Sequence, residues 1–320
     1  MSLHEFLPLL CQAGIFAILA MSLNLISGLT GLLQLGQAGF FAAGAYAAGL
    51  LAIYGTVPAL GPANLILGAV LAAAVAALFS VVIGLPCLRL TGDYLAIATL
   101  GFAEILRLLL NRLELPGGAM FPNERIGGPT GISFTESPGR LWPAHPDYNA
   151  EYTSWWLVWL AVAGVYLLLR NLKFSRQGRA WMCIREDEIA ARSMGVDVPR
   201  AKLSAFVVSA ALAGAAGALF FHHKLRICPN DFMLMTSILI LLMVVLGGMG
   251  SFSGSILAAT VLWFLPQLLR HIHPKLGEYQ QLIYAVLLIV LIRLWPGGLF
   301  GAGELPHWLG RLSGRRRVNA

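Results

Sequence analysis

The sequence predicts an all-α fold, a polytopic membrane bundle of about nine helices, and three observations predict it. Apolar residues fill 58% of the 320 positions and charged ones only 12%, against about 25% charged in a typical soluble domain. The mean hydropathy is +0.75. The apolar residues collect into runs close to the roughly 20 residues a helix needs to cross a bilayer, and backbone facing lipid must satisfy its own hydrogen bonds, which a helix does.

The runs lie at roughly 6–27, 36–54, 64–88, 92–112, 155–170, 203–221, 233–247, 251–269 and 279–295. The first lacks the basic start and small-residue cleavage site of a signal peptide, so it is expected to remain in the protein. The third ("GAVLAAAVAAL") and sixth ("SAALAGAAGALF") are rich in alanine and glycine, which lets helix backbones approach closely. The fourth carries Glu104 and Arg107, three residues apart. A charge in hydrocarbon costs about 2.5–3.5 kcal/mol on insertion scales, so this pair is expected either to be structural or to serve a pathway. The fifth and seventh are short, which suits tilted or sheltered segments. Trp155, Trp156 and Trp159 suit a membrane interface.

No linker divides the chain, which reads as a single transmembrane domain over 1–320. The stretch 171–202 and the C-terminal tail (Arg311, Arg315, Arg316, Arg317) are basic, whereas 114–154 holds more acidic than basic residues. Basic loops stay in the cytoplasm. The expected topology therefore has a cytoplasmic loop at 171–202, a cytoplasmic C-terminus, an extracytoplasmic loop at 114–154 and the N-terminus outside. The net charge of +7 then marks loops rather than a nucleic-acid partner. Four scattered cysteines without a CxxC, and His222, His223, His271 and His273 without companion carboxylates, give no reason to expect a metal. No nucleophile–base constellation is readable, which argues against an integral membrane enzyme.

One charged stretch interrupts the apolar pattern: "GRAWMCIREDEIAARSMGVDVPR", Gly178–Arg200. Read as one helix, it places Ala180, Ile184, Ala191 and Met194 on one side, and Arg185, Glu188 and Arg192 in a stripe beside them. Glu188 and Arg192 can pair at i, i+4. Gly195 is expected to end the helix, with Pro199 discouraging its continuation. The pattern suits either a solvated connecting helix or one that docks its small apolar face on a soluble partner.

"EIAARSMGVD" resembles the coupling loop of ATP-binding-cassette importer permeases, whose familiar form is E-A-A, three residues, then G. Ala190, Ala191 and Gly195 fit that spacing. Ile189 stands where the glutamate is expected, and Glu188 lies one residue earlier, a departure that resembles the Liv-type branched-chain amino-acid branch. "SLNLISGLTGLLQLGQAGFFAAGAYAAGLL" (22–51), "LRLTGDYLAIATLGFAEILR" (88–107), "GGPTGI" (127–132) and "LLMVVLGGMGSFSG" (241–254) resemble further stretches of that branch, in the same order. The resemblance runs over roughly 10–300. It implies a bacterial inner-membrane importer of leucine, isoleucine and valine, although relatives carry urea, short amides and other amino acids. It also implies a second permease subunit, two cytoplasmic ATPase subunits and an extracytoplasmic binding protein. The coupling residues would be Arg185, Glu188, Ala190, Ala191 and Gly195. The chain has no G-x-x-x-x-G-K-[ST], so no cofactor is expected on it, and ATP with Mg would sit on a partner.

Candidates for a translocation pathway are polar or glycine-interrupted. Asn24, Gln34, Gln37, Tyr46 and Thr99 are polar groups on apolar helices, each suited to an interhelical hydrogen bond or to a substrate contact. "SGLTGLLQLGQAGF" and "LGGMGSFSGSIL" share G-x-x-G, a further glycine and an apolar run, which suggests a parallel internal repeat. Gly28, Gly31, Gly39, Gly247 and Gly250 would then flank the route or serve helix packing. Glu104 completes the set. A secondary transporter or channel is the rival reading, but such carriers usually show more intramembrane carboxylates than Glu104 and the membrane-edge Asp93.

Overall fold

The computed structural model describes residues 3–54, 63–87, 90, 92–116, 125–133, 150–224, 226–272 and 280–294. Much of the expected 114–154 loop, His273 and the basic tail lie outside the described residues. The apolar runs form α1 (Leu3–Asn24), α2 (Gln37–Tyr54), α3 (Ala63–Cys87), α4 (Asp93–Arg112), α5 (Ala150–Phe174), α8 (Val198–Lys224), α9 (Leu234–Gly247), α10 (Phe252–Ile272) and α11 (Gln280–Leu294). Six of these are long and apolar enough to cross a membrane. The chain is an all-α polytopic membrane protein with small sheet fragments at one end.

Two helices outgrow the sequence expectation. α5 has 25 residues and α8 has 27. Their polar ends, such as Arg170 and Lys173 on α5, extend the helix past its apolar stretch, as long basic side chains allow near a membrane surface. α9 stays short at 14 residues. A 3₁₀ turn at Pro229–Phe232 precedes it, and Gly248, at φ +100°, ends it.

The charged stretch is not one helix. It forms α6 (Arg176–Glu186) and α7 (Glu188–Ser193). Asp187 is extended, with φ −157° and ψ 117°, and its carboxylate accepts from the N–H groups of Ile189 (2.7 Å) and Ala190 (3.0 Å). A carboxylate that caps a new helix satisfies two donors there and breaks the run. The expected continuous stripe of Arg185, Glu188 and Arg192 is therefore split between two helices. Gly195 takes φ +83° just after α7, as expected. Pro199 instead lies in the first turn of α8, where its missing N–H has no intrahelical role.

α8 packs between α2 and α3. A Cβ on Gly214 would lie 2.5 Å from the Ala72 carbonyl oxygen and 2.6 Å from the Ala76 methyl, and Gly44 of α2 abuts the Gly214 backbone from the other side. The alanine–glycine runs thus perform the close packing expected of them. An aromatic group fills the space beside α2: the Phe41 ring lies 5.1 Å from both Phe220 and Phe232.

Two antiparallel strand pairs mark one end of the bundle. β1 (Glu114–Pro116) pairs with β2 (Arg125–Gly127), and β3 (Ile132–Ser133) with β4 (Arg226–Ile227). The second pair joins the segment after α4 to the segment after α8, so both helices finish at this end. At the other end, the last turn of α5 and α6 meet the π-helical turn Leu25–Thr30, which continues α1, and the turn between α9 and α10. This basic end carries most of the 171–202 stretch.

Candidate functional site

Two sites emerge. The first is a knot of backbone at the basic end. Asn24 is fully buried where α1 passes into its π-helical turn. Its side-chain N–H groups face the carbonyls of Gly248 (3.2 Å) and Ser251 (2.9 Å) and the Ser255 hydroxyl (2.7 Å), while its oxygen accepts from the Gly250 N–H (2.7 Å). One amide thereby ties the end of α1 to the turn before α10. Gly28 lies against Asn24 and the Gly250 backbone, where a Cβ would collide. Gly250 takes φ +93°, a conformation open to glycine and costly for other residues. Two cations close the knot. Arg185 of α6 donates to the Gly28 carbonyl, and Lys173 of α5 donates to the Gly250 carbonyl at 3.0 Å. Carbonyls at broken helix ends lack intrahelical partners, and cations satisfy them well.

The second site is a cleft of about 300 Å³ lined by residues of the loop before α2, by α2, by α4, and by the 3₁₀ turn and start of α9. α4 contributes Leu100, Ala103, Glu104 and Arg107, spaced i, i+3, i+4, i+7, which is one helix face. Arg107 grips Glu104, its Nε lying 3.0 Å from both carboxylate oxygens. Its Nη1 faces the Asn230 side-chain oxygen at a loose 3.4 Å. The Glu104 side chain keeps 42% exposure and the Arg107 side chain 18%. Phe232, Met233, Leu234 and Leu35 supply apolar wall, and Ser237, on the same cleft, accepts the Ala38 N–H at 3.1 Å.

The α6–α7 unit is pinned from beneath. Trp181 is wholly buried, and its indole N–H donates to the Ala201 carbonyl (2.9 Å) and faces the Ser204 hydroxyl (3.2 Å) on α8. Glu188 meets buried Lys202 of α8 at 2.6 Å and Arg192 at 3.5 Å. Ile184, Ala191 and Val198 form their own small buried cluster. Ala191 was expected on an outward docking face; it faces inward instead, because the break at Asp187 turns α7 onto the start of α8. Ile189 (79% exposed) and Met194 (84%) are the large apolar side chains this unit presents. Ala190 and Gly195 are exposed beside them.

The structure thus brings Asn24, Gly28, Gly31, Gly247, Gly250 and Arg185 to one end, where the two glycine stretches touch each other. Gly247 packs on the Gly254 backbone, and Gly31 on Arg185. Asn24 is engaged by protein groups and offers no free amide, so the geometry here is that of packing. Gly39 lies on Ala103 of α4. Thr99 accepts the Leu35 N–H at 3.2 Å. Gln37 donates to the Ser22 hydroxyl at 2.6 Å. Gln34, the Gln37 oxygen and the Tyr46 hydroxyl are buried and find no partner among the described residues. α2 is buried on nearly all sides, so Gln37 and Tyr46 do not share an open lining face; only Ala38 of that helix reaches the cleft. Trp181, Lys202 and Asp187 escaped the sequence reading, as did the Phe232–Leu234 wall. The signal for Asp187 was present: an aspartate before a helix-forming run is an N-cap pattern.

A family model described as the permease component of branched-chain amino acid transport systems matches residues 6–292. The chain is 40% identical over 233 residues to the high-affinity branched-chain amino acid transport system permease protein LivM of Salmonella typhimurium, and to that of Escherichia coli to the same extent. Each alignment covers 68% of this chain and 53% of the relative, so the chain spans about half the length of the LivM proteins it matches. The permease protein LivH of Escherichia coli is 27% identical over 164 residues, half of this chain and 51% of the relative. No solved structure matches the chain. With a family model covering almost all of its described helices, the chain belongs to the permease components of branched-chain amino acid transport systems.

Proposed function

We propose that this chain is a permease subunit of an ATP-binding-cassette importer in the bacterial inner membrane, moving leucine, isoleucine and valine inward. A second permease subunit, two cytoplasmic ATPase subunits holding ATP and Mg, and an extracytoplasmic binding protein complete the machine. The basic end, with α6 and α7, faces the cytoplasm and receives the ATPase. The names of the LivM and LivH relatives support the substrate class. The observation that carries the reading is Arg185: it sits on the exposed α6–α7 unit yet donates to the Gly28 carbonyl inside the bundle. A push on that unit therefore reaches the junction of α1 with the turn before α10 through one side chain.

Two kinds of variant test this. Ile189→Asp and Met194→Asp place charge on the exposed apolar pair and are expected to lower co-purification with the ATPase subunits at least tenfold, while the permease still inserts. Arg185→Ala is expected to leave the complex assembled but to cut leucine uptake per ATP hydrolysed. Unchanged uptake and assembly in all three variants would contradict the coupling role.

A further inference from the structure

We propose that the cleft beside α4 is a recognition station for a free amino acid in its zwitterionic form, with Arg107 taking the carboxylate and Glu104 the ammonium. The proposal rests on the reading of the chain as an amino-acid permease and adds where and how the substrate is held. Glu104 lies eight residues before Arg112, the last residue of α4, or about 12 Å along the helix axis. It is therefore inside a membrane-spanning segment, where a charge is normally paired or functional. The pair itself satisfies the first condition. Three details point to the second.

First, neither member is saturated. Arg107 spends Nε and Nη2 on Glu104, while Nη1 has only the 3.4 Å contact with Asn230. A guanidinium has a second edge that suits a carboxylate. Glu104 keeps 42% of its side-chain surface, so its oxygens have room for further donors. Second, the pair opens into a bounded space. The cleft of about 300 Å³ lies at the small end of ligand pockets, roughly 300–1,000 Å³, a size for one small molecule. Third, the rest of the wall is apolar apart from Ser237: Leu35, Leu100, Phe232, Met233 and Leu234 supply most of it. A molecule with two opposite charges at one end and a branched hydrocarbon at the other matches both parts.

The same chemistry selects against neutral solutes. Parting a carboxylate from a guanidinium within a membrane-spanning segment leaves two charges without partners. A zwitterion compensates both at once, whereas urea or a simple amide compensates neither. A carboxylic acid without an amine would engage Arg107 and leave Glu104 alone. The cleft thereby separates amino acids from the urea and amide substrates that the sequence resemblance leaves open.

The test uses the complete complex in lipid nanodiscs, without ATP. Cys183 and Cys228, the native thiols that are not buried, are changed to serine, and Met233→Cys places a reporter on the cleft wall. Its rate of modification by a small hydrophilic thiol reagent is measured with leucine, with isocaproamide and with isocaproate. Leucine is expected to slow the reaction at least threefold, and the other two to leave it within experimental error. Glu104→Gln with Arg107→Gln is expected to abolish the protection, while co-purification of the variant with the other subunits shows that it is folded and assembled. Equal protection by the neutral amide, protection that survives the double variant, or no protection by leucine would each overturn the proposal. ATP-driven leucine uptake by the parent complex is measured alongside. Its absence would refute the amino-acid permease reading, while normal uptake without protection would refute the cleft assignment alone.

Discussion

Asn24 shows how much one side chain carries. Its amide meets four groups on the segment Gly248–Ser255, and all of them are shielded from water. Asn24→Leu keeps the volume and removes every bond. Each buried group left without a partner costs on the order of 1–3 kcal/mol. Thermal unfolding in detergent is expected to move down by several degrees or more. Ser255→Ala removes one contact of the four and should shift the transition far less; an equal effect of the two changes would contradict the assignment of the knot to Asn24. The sequence marked Asn24 as polar on an apolar helix and left two roles open. It could not show the partners, which lie more than 220 positions away in the chain. Glu104 and Arg107 were legible as a pair because they are three apart on one helix. Their cleft was not, because Phe232 and Met233 reach it only through the turn after α8.

At the scale of elements, the long apolar helices were legible because the bilayer imposes a length on them. Ends were less so, since polar residues extend α5 and α8 beyond the oil. The break at Asp187 was missed because charged residues surround it, and a capping carboxylate there looks like one more surface charge. The packing of α8 between α2 and α3 gives a direct prediction. Gly214 has no room for a side chain against Ala72 and Ala76. Gly214→Val is expected to cost about 1–3 kcal/mol through overpacking, read as a lower melting temperature and a smaller monodisperse fraction after solubilisation. Gly164→Val is a fair control, because nothing lies within 4 Å of a Cβ there. Similar losses in both would mean that α8 does not pack as described. Lys202 predicts a second effect on an element. It is buried and ends on Glu188, so Glu188→Ala strands a cation and is expected to loosen α7 from α8, read as faster backbone hydrogen exchange over 188–194.

At the scale of the whole molecule, the strand pair β3–β4 and the contacts of α6 with the π-helical turn agree with the threading expected from the alternation of apolar runs. They fix which ends lie together. By the positive-inside rule, the distribution of lysine and arginine predicts that the basic end faces the cytoplasm. Cys183 is an exposed native thiol on α6 at that end. An impermeant maleimide is expected to label it in inverted membrane vesicles stripped of the ATPase and to spare it in intact cells; labelling in intact cells would reverse the orientation. In the proposed importer, ATP hydrolysed on another chain drives an amino acid through this one. Proteoliposomes containing this chain, a second permease subunit and the ATPase subunits, supplied with the binding protein, test it most directly. Leucine accumulation is expected to need ATP and to persist when ion gradients are collapsed. Accumulation driven by a proton or sodium gradient in the absence of ATP would contradict it.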